Sequence, residues 1–92
     1  MEQIDRVRRM EARLRAAEKA VRTLSDALDI WAAAAEDIRA LDAYYGSEEW
    51  RRDRAADEAG LLPRDLRRGV LGEDEAWNVL SDARELSARL RE

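Results

Sequence analysis

The chain has 92 residues, 41% of them charged, a net charge of −4, and neither cysteine nor histidine. That excludes disulfides, thiolate chemistry and sulfur-ligated metal, and it removes histidine as general base, metal ligand or pH switch. Alanine, leucine, arginine and glutamate dominate, which is the composition of one small domain of helices with solvated faces.

Charge is uneven along the chain. Residues 1–24 carry seven cations against four anions, residues 25–62 four against ten, and residues 63–92 six against seven. Signs are mixed throughout and apolar residues recur with a clear period, so folding is favoured over disorder. No segment is basic enough to make nucleic acid an expected partner. No apolar run approaches the roughly 20 residues that span a bilayer, so no membrane partner is expected. The start, MEQIDRVRRM, is charged throughout and does not read as a secretory signal. A cytoplasmic protein is the expectation.

Residues 2–45 contain neither glycine nor proline and predict one long helix, with a bend possible near residues 31–37. Apolar residues follow a heptad. Val7, Leu14, Val21, Leu28 and Ala35 take one core position; Met10, Ala17, Leu24, Trp31, Ile38 and Tyr45 take the other. The register fails only at Asp42. Glu2–Arg6, Asp5–Arg9, Glu11–Arg15 and Glu18–Arg22 are acid-before-base at i,i+4, the better orientation. A helix of this length would reach about 65 Å at 1.5 Å per residue. The rest of the chain cannot cover it. Either it folds back in a compact bundle, or its exposed end pairs with a second copy. Arg6 and Arg13 flank one side of the stripe, and Glu11 and Glu18 the other. In a parallel pair these meet as opposite charges, which favours a parallel homodimer. The candidate dimer face is Val7, Met10, Leu14, Val21 and Leu24.

Gly46 after Tyr44–Tyr45 suits a helix end of positive φ. Ser47 then caps a short helix predicted over residues 48–58, with Glu48 and Glu49 favouring its dipole. Trp50 is the one large apolar side chain available to dock it. Gly60 ends that helix. Residues 59–72 form an irregular elbow, with Leu61 and Leu62 as anchors, a turn at Pro63, and Val70–Leu71 returning to the core. Gly72 is a tolerable cap for a last helix over residues 73–91.

The stretches YYGSEEW at 44–50 and DEAGLLPRDLRRGVL at 57–71, with the acidic helix start, Trp77 and Leu80, carry a resemblance. The chain resembles the small bacterial family catalogued as domain of unknown function 4298. The match is close over residues 38–80 and loose in the flanking helices. Gly72 departs from the family's serine cap, Ala55 from a frequent acid, and Glu36 from a proline that relatives can carry. The resemblance implies an all-helical cytoplasmic fold and supplies no activity.

Two clusters are candidates for function. Glu49, Asp53 and Asp57 fall at i, i+4, i+8 and form a carboxylate stripe that a hard cation could use. Arg51, Arg52 and Arg54 interleave it, and such stripes are more often solvated faces, so no metal ligand or cofactor is assigned. Arg64, Arg67 and Arg68 could meet a partner's acidic patch. Alternatively they staple the elbow by pairing with Asp57, Glu58 or Asp65, for which the planar guanidinium is suited, and we favour that role. No nucleophile motif or phosphate loop is present, and no catalytic residue is assigned.

Ala76, Val79, Ala83, Leu86 and Leu90 predict the buried face of the last helix, with Trp77 and Leu80 beside it, packing near Trp31, Ile38 and Tyr45. The expectation is an all-α helical hairpin or small bundle in a single domain. Its expected role is a non-enzymatic interaction or scaffold protein that self-associates through its N-terminal helix. The alternatives are a regulator that binds nucleic acid or a nucleoprotein through the arginine-rich N-terminal face, and a carboxylate metal-binding protein.

Overall fold

The computed structural model describes residues 1–91 and is all-α. Helix α1 spans Glu2–Tyr44, α2 Glu48–Glu58 and α3 Glu75–Leu90, with a 3-10 turn at Gly69–Leu71. The chain divides into two units, Met1–Ala34 and Ala35 onward. Helical structure continues through residues 31–37 without a break.

The first unit is helix alone. Residues 1–30 are all solvent-exposed. Of the side-chain pairs expected from spacing, Glu11–Arg15 closes at 3.1 Å. Glu18 turns to Arg15 at 3.0 Å instead of to Arg22. Glu2–Arg6 and Asp5–Arg9 do not close among the described residues. An exposed ion pair gains only about 0.2–1 kcal/mol, so i,i+4 spacing alone does not decide which of several neighbouring pairs closes.

The second unit holds the core. Trp50, Leu71, Ala76, Leu80 and Ala83 are buried. Ala35, Ile38 and Leu41 of α1, and Tyr45 just past its end, are half-buried. Asp42, the break in the heptad, accepts a hydrogen bond from Arg84 of α3 at 2.9 Å. Gly46 and Gly60 have φ of 82° and 72°, the left-handed conformation that an L side chain rarely adopts. The Ser47 hydroxyl accepts from the Trp50 backbone N–H at 3.2 Å and caps α2.

Four expectations need correction. Helix α3 starts at Glu75, with Asp74 in the cap position and no side-chain cap bond. Gly72 instead closes the 3-10 turn, its N–H bonded to the Gly69 carbonyl at 3.2 Å. The Glu73 carbonyl accepts from the Tyr45 hydroxyl at 3.1 Å, so residues 72–73 tie the elbow down before the helix begins. Second, Leu61 is no anchor: it is 76% exposed, and Leu62 is the half-buried member of that pair. Third, Trp77 is 57% exposed, not core. Fourth, α3 buries Ala76, Leu80 and Ala83, while Val79, Leu86 and Leu90 are exposed. The two frames share Ala76 and Ala83, and the chain docks on the one that contains Leu80.

Candidate interaction surfaces

The stripe on α1 is set by sequence alone. Val7, Met10, Leu14, Val21 and Leu24, with Ala17 between Leu14 and Val21, follow a three-and-four spacing, so an α-helix places them in one row. All five are exposed, as are Ile4 and Leu28. Ala17 leaves a shallow hollow between Leu14 and Val21, with Glu18 and Arg22 at its margin. Glu11 and Glu18 stand along one flank of the row, both held by the guanidinium of Arg15.

The elbow is held by two junctions. At the first, Trp50 is 8% exposed and its indole N–H donates to the Val70 carbonyl at 2.9 Å. Tyr45 packs against it with ring centroids 5.0 Å apart and planes tilted by 58°. The Arg54 guanidinium lies 5.3 Å from the Trp50 ring centroid, a cation–π contact. Arg54 also bonds Glu73 at 2.7 Å and approaches Glu58 at 3.4 Å. Those carboxylates, Glu73 foremost, raise its already high pKa further. Sequence reasoning missed Arg54. Its position on the Trp50 side of α2, one helical turn on, was the available signal.

At the second junction, Arg68 donates to the Asp57 carboxylate and to the Pro63 carbonyl, and through Nε to the Leu66 carbonyl at 3.3 Å. One planar side chain thereby closes the loop on α2. The Leu66 N–H completes the Pro63 turn at 3.3 Å. The staple expected for the arginine cluster is therefore made by Arg68. Arg64 and Arg67 are exposed and form no ion pair among the described residues.

The carboxylate stripe of α2 is divided by its neighbours. Asp57 belongs to Arg68. Asp53 accepts from the Tyr44 hydroxyl at 2.5 Å. That hydrogen bond, with partial burial and the negative charge of Asp53 and Glu49 behind it, pushes the Tyr44 phenol up to about 12. Glu49 is exposed. Among the described residues no three carboxylates gather as metal ligands would.

A shallow groove of about 270 Å³ lies between α1 and α3, lined by Ile38, Asp42, Leu80, Ala83 and Arg84 among others. The Arg84–Asp42 pair bridges it. Among the described residues no helix is long and apolar enough to cross a membrane.

A model of the family described as domain of unknown function DUF4298 matches residues 7–92. The chain belongs to this family. Neither a curated protein nor a solved structure matches it. The DUF4298 match includes the whole apolar row of α1 as well as the elbow, so both are within the family's extent.

Proposed function

We propose that this DUF4298 protein is a non-enzymatic interaction or scaffold protein that self-associates through the apolar row Val7–Leu28 of α1. One observation carries the reading. The first unit is a helix whose residues 1–30 are all exposed, yet it bears a heptad of Val, Met and Leu interrupted only by Ala17 between Val7 and Leu28. Helices in proteins owe most of their stability to packing of an apolar face, and among the described residues this face is exposed. A second copy supplies a matching row by symmetry. The nucleic-acid alternative draws less support, since Arg15, midway along the arginine-rich segment, is engaged by two carboxylates. The metal alternative loses two of its three candidate ligands to Tyr44 and Arg68.

Sedimentation equilibrium tests this directly. The expected particle has twice the 10.6 kDa chain mass. Leu14→Asp, which puts a charge into the row, returns it to the monomer mass. A wild-type chain that stays monomeric at concentrations on the order of 100 μM refutes the proposal.

A further inference from the structure

We propose that the two copies pair in parallel and in register, with Arg15 tying the interchain charge contacts of each flank into one network. This rests on the self-association proposed above. The heptad assigns Arg6 and Arg13 to the position before the row and Glu11 and Glu18 to the position after it. In a parallel two-stranded coil, the former position of one helix faces the latter of its partner five residues on. Arg6 then meets the partner's Glu11, and Arg13 the partner's Glu18. In an antiparallel coil each position faces its own kind, so arginine meets arginine and glutamate meets glutamate.

The structure adds which groups are committed and which are available. Arg6 and Arg13 form no ion pair among the described residues. Both glutamates are held by Arg15, Glu11 through Oε2 at 3.1 Å and Glu18 through Oε1 at 3.0 Å. The second oxygen of each carboxylate carries no hydrogen bond among the described residues. Each can therefore accept from a partner arginine without releasing Arg15. The contacts join as one run: partner Arg6, Glu11, Arg15, Glu18, partner Arg13. Arg15 lies outside the row. It acts by holding two long side chains in the rotamers that the partner needs, which removes part of their ordering cost. Arg22 occupies the same heptad position one repeat later and forms no ion pair among the described residues.

Two measurements test this on the full chain, which has no native cysteine to interfere. Val7→Cys, in the first core position, and Leu24→Cys, in the second, lie near opposite ends of the row, and an antiparallel coil sets the first position of one helix against the second of its partner. In a parallel in-register pair each variant, alone, oxidises to a disulfide-linked dimer. Cross-linking only when the two are mixed shows an antiparallel pair. No cross-linking in either case, in a chain that still sediments as a dimer, shows an interface elsewhere. Either result overturns the inference while leaving self-association standing; a monomeric wild type removes both. Arg15→Gln weakens the dimer by roughly three- to ten-fold, and Arg22→Gln leaves it unchanged. Equal dissociation constants for the two variants refute the role of Arg15.

Discussion

Replacing Trp50 with alanine removes the side chain on which three segments converge. Truncating a buried tryptophan costs about 3–5 kcal/mol. The Val70 carbonyl also loses its donor, and Tyr45 and Arg54 lose the ring they pack on. These contributions overlap, so about 4 kcal/mol is the expected total. A unit of this size has on the order of 3–9 kcal/mol of stability in all. Trp50→Ala is therefore expected to melt the elbow and undock α3 while leaving the first unit helical. Near-ultraviolet circular dichroism over a urea series reports the loss of fixed aromatic packing, and far-ultraviolet dichroism the retained helix. Trp50→Phe keeps the ring and removes the indole donor. Its cost is about 1–2 kcal/mol, with the cooperative transition preserved. If Trp50→Ala unfolds at a urea midpoint within about 0.5 kcal/mol of wild type, Trp50 does not carry the docking.

Arg68→Ala should lower stability by about 1–2 kcal/mol in urea, discounted because the side chain is partly solvated, whereas Arg64→Ala should stay within about 0.5. Equal effects would mean that the elbow is not stapled through Arg68. Gly60→Ala meets no atom within 4 Å, so its cost is the left-handed backbone alone, about 1–2 kcal/mol by thermal unfolding. In a Tyr45→Phe background, the phenolate absorbance of Tyr44 should rise near pH 12, and Asp53→Asn should bring that midpoint down towards 10. Because the folded pKa is raised, the stabilising contribution is present below pH 10 and is lost as pH climbs towards 12. Unchanged titration in Asp53→Asn would contradict the Tyr44–Asp53 bond.

Much of the second unit was legible because its signals are local. Gly46, Ser47 and Gly60 each act within one turn of their own position, and α2 runs over the residues that they bracket. A staple between Arg64, Arg67 or Arg68 and one of Asp57, Glu58 or Asp65 was legible because few other carboxylates lie within reach of the elbow, and the structure makes it from Arg68 and Asp57. What failed was the choice between overlapping patterns. On α3 the apolar residues are too many for periodicity to select one face, and only the docked partner decides in favour of Leu80 over Val79. Arg54 was missed for a related reason. Its main partner, Glu73, is 19 residues away, and nothing near either residue marks the pairing. The start of α3 moved because residues 72 and 73 are taken by the 3-10 turn, Tyr45 and Arg54, a demand that composition does not announce.

Among the described residues, the side-chain bonds of residues 2–34 join near neighbours along the helix, and this has a consequence for how such a chain can vary. Adding or deleting seven residues there changes the reach of the helix but keeps every apolar side chain in its row. Adding or deleting three or four shifts the later heptads around the helix axis relative to the earlier ones. Length in this segment is thus adjustable in whole repeats, without any compensating change in the elbow, so the segment can serve as a spacer of graded size.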